Sequence, residues 1–248
     1  MIPAVECTSI WKSFAKVRRV GLKSLLVGGG RLREGRFARQ WALKDVSFDV
    51  ARGEGFGIVG HNGSGKTTLL TILLGTVLAD RGSVSLRGRI ASLIELGAGF
   101  HPELSGRDNI FLYGSILGMR LREIRARYEH IVEFSELGGA VEEPIRTYSA
   151  GMITRLAFSI IASAPADLLL IDEVLAVGDA RFQEKCGVFL DEFKSRGGTL
   201  VIVSHNMYAL ARLCERGMCL EAGLTVSTGP MSDVISAYGT RTAVVQTN

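Results

Sequence analysis

The chain has 248 residues, of which 47% are apolar and 22% charged, and it carries a formal net charge of +4. That length supports one large domain or two small ones with a real core, and the balance of apolar and charged residues argues against an intrinsically disordered chain. The small positive excess does not by itself point to nucleic acid, because ATP, lipid headgroups and other polyanions suit it equally well.

The four cysteines, Cys7, Cys186, Cys214 and Cys219, show no CxxC spacing, and the chain has four histidines. Neither a zinc site nor a disulfide scaffold is expected, and reduced thiols of a cytosolic protein are the plain reading. The most apolar stretch, 153–171, contains Arg155, Pro165 and Asp167. It divides into a helix end, a turn and a buried strand, and does not read as a membrane span. The N-terminus lacks a basic region followed by an apolar run, so export is not expected.

In chain order, alternation over residues 42–50 predicts a half-buried strand, and GFGIV at 55–59 a short apolar one. A helix follows over 65–74, then short strands at 83–86 and 90–93. Strands this close to the front, separated by turns, suggest a small antiparallel layer beside a mixed α/β core. Ser105 and Asp108 form a capping box for a helix over 107–117. Ile124, Tyr128 and Ile131 recur at helical spacing, and a further helix over 150–163 stops before Pro165. Residues from about 100 to 163 therefore read as a mostly helical insertion. The α/β pattern resumes with a buried strand at 168–171, a helix with Phe182, Cys186, Phe189 and Phe193 on one face, a second buried strand at 199–203, and a helix near 230–238.

Residues 18–41 stand apart. Arg18, Arg19, Lys23, Arg31, Arg33, Arg36 and Arg39 face a single acid, Glu34, with Leu22, Leu25, Leu26 and Val27 among them. This basic insertion reads either as a solvated surface excursion or as a contact with a headgroup layer or an acidic partner.

The chemistry is concentrated in GHNGSGKT, residues 60–67: Gly60, His61, Asn62, Gly63, Ser64, Gly65, Lys66 and Thr67. The segment matches the G-x-x-x-x-G-K-[ST] phosphate loop and sits between a strand and a helix, as that motif requires. Glycines let backbone N–H groups curl around phosphate oxygens, and the helix N-terminus adds partial positive charge. Lys66 is expected at the β- and γ-phosphates, the Thr67 hydroxyl on Mg²⁺, and Thr68 in support. LLLIDE, 168–173, delivers Asp172 at the carboxyl end of a buried strand, where open α/β sheets bind ligands. Asp172 suits Mg²⁺, and Glu173 suits the attacking water. His205, after the second buried strand, suits the γ-phosphate or that water.

These motifs resemble the nucleotide-binding subunits of ABC transporters across nearly the whole chain, and most of all those that export bacterial O-antigen, capsule or teichoic-acid polymers. The resemblance implies an α/β fold: a P-loop NTPase core of the ABC ATPase type with an antiparallel β subdomain and a helical subdomain, residues 1–248 forming a single such domain. In TYSAGMITRLAFSIIA, 147–162, the residues 148–152 stand where the family has Leu-Ser-Gly-Gly-Gln, and Ser149 and Gly151 are retained. They are expected to face the γ-phosphate held by another subunit. The loop around Glu95 resembles the glutamine loop, with Glu95 in the metal- or water-contacting place and the following residues to Pro102 facing a membrane partner. Asp179 has the spacing of the loop that crosses the dimer. Phe14 resembles the adenine-stacking aromatic, with Trp11 and Trp41 as alternatives.

The resemblance further implies ATP and Mg²⁺, and catalysis by Lys66, Glu173 and His205. Its expected partners are a second copy forming an ATP-sandwich dimer, transmembrane permease subunits and, indirectly, a polysaccharide substrate. It places the protein peripherally on the cytoplasmic face of the bacterial inner membrane, with no nucleic-acid partner. No appended carbohydrate-binding domain is expected after the helix near 230–238. The alternatives are an ABC ATPase acting on nucleic acid or ribosomes, favoured only by the basic stretch, and a nucleotide-dependent interaction module, opposed by the retained Lys66, Asp172 and Glu173.

Overall fold

The computed structural model describes residues 2–16, 38–94, 96–172 and 178–246. Glu95, Glu173 and residues 18–37 of the basic insertion lie outside them. Two long strands, β1 (Val5–Lys16) and β2 (Ala38–Val50), are followed by β3 (Gly55–Val59), α1 (Lys66–Leu73), β4 (Arg81–Leu86) and β5 (Ile90–Ser92). Next come three helices, α2 (Gly106–Ile116), α3 (Leu121–Ser135) and α4 (Ala150–Ser163), with two short 3₁₀ turns between the last two. The chain then alternates again: β6 (Leu168–Asp172), α5 (Ala180–Ser195), β7 (Thr199–Val203), α6 (Met207–Leu213), β8 (Arg216–Glu221), β9 (Leu224–Pro230) and α7 (Met231–Gln246).

These strands form two sheets. β1 pairs antiparallel with β2 on one side and β4 on the other. The second sheet has the order β5-β6-β7-β3-β8-β9, parallel from β5 to β8 and closed by antiparallel β9. Every residue of β3 and β7 is buried, which explains their unbroken apolar runs: a parallel strand covered on both faces shows no alternation. Alternate residues still serve different cores. Phe56, Ile58, Leu168, Leu170, Val201 and Val203 pack toward the antiparallel sheet and α1. Val59, Leu169, Ile171, Leu200 and Ile202 pack toward the helices.

Two expectations need correction. The strand near 90–93 does not belong to the front antiparallel layer: β5 lies parallel to β6, with Ile90 opposite Leu168 and Ser92 opposite Leu170. Three residues carry too little alternation to distinguish one layer from the other. The sequence reading also missed β1. Its register shifts between Cys7 and Ile10, and again on either side of Lys12, while Ser9 takes φ 48°. These irregularities break the period of two that reveals a strand.

The start of α2 is capped as the sequence suggests. Ser105 Oγ accepts from Asp108 N at 3.1 Å and donates to Asp108 Oδ2 at 2.8 Å, satisfying an otherwise orphan donor of α2. Phe182, Cys186, Phe189 and Phe193 of α5 are all buried. The four cysteines are free and buried, and burial pushes the Cys7, Cys186 and Cys214 thiols up to about 12.

Candidate functional site

Residues 60–65 leave β3 and turn into α1. Gly60 takes φ 155°, and a Cβ there would stand 2.3 Å from the Leu220 carbonyl oxygen and 2.6 Å from Ser64 Oγ. Gly65 takes φ 110°, with a Cβ position 2.6 Å from the Ala42 carbonyl oxygen. Only glycine fits either place. No side chain caps α1, so its first N–H groups are left to the loop. Lys66 is 7% exposed, and its Nζ donates to the Gly60 carbonyl at 2.6 Å and the His61 carbonyl at 3.1 Å. The ammonium thus lies over the loop. Ser64 Oγ is buried with no hydrogen-bond partner. An ammonium, an orphaned hydroxyl and an uncapped helix start around one loop are the chemistry a polyphosphate satisfies. Asn62 and Gly63 form the exposed tip, and Thr68 continues into α1, half-buried.

The parallel register brings the acids and the histidine to the same edge. Ile58 of β3 and Asp172 of β6 both pair with Val203 of β7. Asp172 therefore ends its strand level with the exit to the phosphate loop, and His205 follows two residues after Val203, exposed to solvent. Thr67 Oγ1 donates to Asp172 Oδ2 at 3.4 Å. Among the described residues no group of three or more His, Cys, Asp or Glu side chains is placed to cage a metal ion. A hydroxyl beside a single carboxylate fits Mg²⁺ all the same, because that ion keeps waters and takes phosphate oxygens as ligands.

Ser149 and Gly151 lie at the start of α4. Ser149 is exposed, and its Oγ accepts from Met152 N at 3.2 Å. Among the described residues it makes no hydrogen bond to the phosphate loop of its own chain. Asp179 caps α5, accepting from Phe182 N at 3.0 Å, and pairs with Arg155 of α4. The Phe182 N–H first, and the Arg155 guanidinium after it, hold the Asp179 carboxyl below the usual carboxylate range. Phe14 on β1 is 47% exposed, with Lys12 Nζ 5.4 Å from its ring centre. Trp11 and Trp41 pack edge to face against each other at 5.3 Å.

Comparison with known proteins decides the family. Residues 43–176 match the ABC transporter family. The chain belongs to that family. The ATP-binding protein RfbB of an O-antigen export system in Klebsiella pneumoniae is 43% identical over 96% of this chain and 98% of its own length. The teichoic acids export ATP-binding protein TagH of Lactococcus lactis is 38% identical over 86% of this chain and 45% of its own. Solved structures agree on the fold. The ATP-binding subunit of an ABC transporter superposes with a TM-score of 0.75 at 20% identity, covering 95% of this chain and 93% of that one. A dimeric ATP-binding cassette in a post-hydrolysis state with ADP and phosphate gives 0.71 at 21%, covering 92% and 98%. This protein is therefore the ATP-binding, ATP-hydrolysing subunit of an ABC transporter. No described helix is long and apolar enough to cross a membrane.

Three residues of this ABC ATPase escaped the sequence reading. Asn109 is fully buried in α2; its Oδ1 accepts from His101 N at 2.7 Å, and its Nδ2 lies within 3.1 Å of the carbonyls of His101, Leu104 and Ser105. It shapes the loop that follows Glu95. A polar residue at a core position of an amphipathic helix was the available signal. Arg155, an arginine within an apolar helix, joins α4 to Glu136 at 3.5 Å and to Asp179. Tyr238 of α7 packs 5.3 Å from the His61 ring of the phosphate loop, a contact with no signature in the sequence.

Proposed function

We infer that this ABC ATPase drives export of a cell-envelope polysaccharide, of the O-antigen kind, from the cytoplasmic face of the bacterial inner membrane. The observation that carries this reading is the near end-to-end likeness to the Klebsiella O-antigen export protein. The whole chain, 1–248, acts as one ABC ATPase domain, with residues 100–163 as its helical subdomain. The loop running to Pro102, ordered by Asn109, meets the transmembrane permease subunits. The basic insertion 18–41 is a further surface for the membrane or that partner.

Lys66 neutralises the β- and γ-phosphates, with the loop amides and Ser64 Oγ as fixed donors. Thr67 and Asp172 hold Mg²⁺, with Glu95 as a third candidate ligand. When bound, Mg²⁺ polarises the phosphate oxygens and neutralises developing charge. Glu173 orients the attacking water and takes its proton, and His205 contacts the γ-phosphate or that water. Phe14, the exposed ring, stacks on adenine. Ser149 and Gly151 of a second copy supply the remaining donors, so two copies enclose two ATP molecules.

The test is reconstitution of the ATPase with its membrane subunits in proteoliposomes. ATP-dependent movement of lipid-linked polysaccharide, with ATPase stimulation by that polymer, is the expected result. Stimulation by RNA or DNA, with none by the polymer, overturns it.

A further inference from the structure

The parallel strands have two ends, and the nucleotide chemistry uses one. At the other end lies a cavity of about 640 Å³. Asp167, which lines it, immediately precedes β6, whose last residue is Asp172. Five residues of strand separate the two carboxylates by about 16 Å. The helix α4 spans the same interval: Ser163 at its end lines the cavity, and Ser149 caps its start, about 21 Å away. The cavity is thus distinct from the nucleotide surface, although β6 and α4 run between them.

Its charge is one-sided. Arg52, Arg87 and Arg196 reach it from three separate turns and Arg127 from within α3, with His130 one turn further along that helix, against Asp167 alone. Asp167 is already engaged, since its Oδ2 accepts from Arg89 N at 2.8 Å and lies 3.9 Å from Arg89 Nε. Arg87 donates to the Pro3 carbonyl at 2.9 Å and lies 3.4 Å from Glu6. Among the described residues, Arg52, Arg127 and Arg196 have no carboxylate within ion-pair distance. Guanidinium groups gathered on one concave surface repel one another unless an anion joins them. Their planar forks match phosphate oxygens two at a time. Ala164, Pro165, Phe189 and Phe193 add an apolar wall, and the volume falls in the small-ligand range.

We propose that this cavity binds a small organic phosphate, a compound carrying phosphate groups on a compact carbon body. An anionic lipid headgroup offers the same phosphate chemistry, and the experiment separates the two sources. The full chain is first saturated with Mg-ADP to fill the phosphate loop. Calorimetric titration with glucose 1,6-bisphosphate and with inorganic pyrophosphate then probes the cavity, and flotation with phosphatidylglycerol or phosphatidylcholine vesicles probes the headgroup. Saturable binding of either soluble probe, weakened at least 10-fold in Arg52→Glu/Arg127→Glu with ADP affinity unchanged, is the expected result. Capture by phosphatidylglycerol vesicles alone, lost in the same variant, assigns the site to a headgroup. Arg52→Gln/Arg196→Gln, at two exposed positions, repeats the test if the first variant folds poorly. Absence of binding to every probe, or binding that survives both double substitutions, overturns the proposal.

Discussion

Thr67 Oγ1 meets Asp172 Oδ2 at 3.4 Å across 105 residues of sequence. The contact joins the first turn of α1 to the end of β6, where a hydroxyl and a carboxylate converge beside the phosphate loop. If both hold Mg²⁺, the hydroxyl is needed and the Thr67 methyl is not. Thr67→Ser should keep near-normal ATPase activity, whereas Thr67→Val and Asp172→Asn should raise the Mg²⁺ concentration needed for half-maximal turnover by about 10- to 100-fold. Magnesium titration of steady-state turnover checks this, and an unchanged Mg²⁺ requirement in Asp172→Asn would remove Asp172 from the metal site.

Glu173→Gln should leave ATP binding intact and lower turnover by about 10²- to 10⁴-fold, because an amide does not take the water's proton. The variant should also accumulate as an ATP-bound dimer. Turnover assays and light scattering with and without ATP are the measurements, and near-normal turnover would exclude Glu173 as the base.

Asp80 makes a pH prediction. Ser13 donates to Asp80 Oδ2 from its hydroxyl at 2.7 Å and from its backbone N at 2.8 Å, and Lys12 Nζ lies 3.1 Å from Oδ1. These contacts, the Ser13 hydroxyl first, lower the carboxyl from 3.8 to about 2. A depressed carboxylate stabilises the fold fully above its unfolded value and stops doing so as pH falls through its folded one. The contribution is therefore complete above about pH 4 and fades toward about pH 2. Carbon-13 NMR titration of the Asp80 carboxyl should give the low value, and Asp80→Asn should flatten the acid limb of the stability curve. An ordinary titration near 3.8 would refute the arrangement.

The sequence made some parts of this architecture legible and hid others for identifiable reasons. β3, β6 and β7 stood out because burial on both faces leaves uninterrupted apolar runs, and each leads directly into polar residues of the nucleotide edge. The phosphate loop was legible because its backbone geometry demands glycine at Gly60 and Gly65. β1 was not, because its bulges break the alternation. Asn109 offered one signal, a polar residue at a core position of its helix, but its partners are backbone carbonyls and an N–H, so no partner residue type pointed to its role. The His61–Tyr238 contact joins positions brought together by α7 packing on the main sheet, a tertiary relation that local pattern does not encode.

Asn109→Leu should test how the loop after Glu95 is held. The substitution puts an apolar side chain at this buried position, leaves His101 N without its acceptor and takes one of two donors from the carbonyls of His101, Leu104 and Ser105, at about 1–3 kcal/mol. Asn109→Asp should fail as well, since a carboxylate accepts from His101 N but cannot donate to the three carbonyls. Urea unfolding measures the loss, and transport assays should show a larger defect than nucleotide affinity does. Full transport activity with an unchanged unfolding midpoint would show that the loop does not depend on this amide.

The last prediction is that each ATP site is shared between two copies. Lys66, Thr67 and Asp172 gather at one sheet edge of a single chain, while Ser149 starts a helix whose Oγ turns to Met152 N and not to its own phosphate loop. A hydroxyl and the remaining first-turn amides at an exposed helix start complement an anion brought by another molecule. Two inactive variants, Lys66→Ala and Ser149→Arg, separate the halves. Each homodimer then lacks a complete site, whereas a mixed dimer places both lesions in one site and leaves the other intact. Partial recovery of ATPase activity on mixing is the expected result. Because a strictly coupled dimer would stay silent, the second measurement is a contact: Ser149→Cys crosslinked to a thiol-reactive γ-phosphate analogue of ATP bound at Lys66. Labelling across two differently tagged chains supports the shared site, and labelling confined to one chain overturns it.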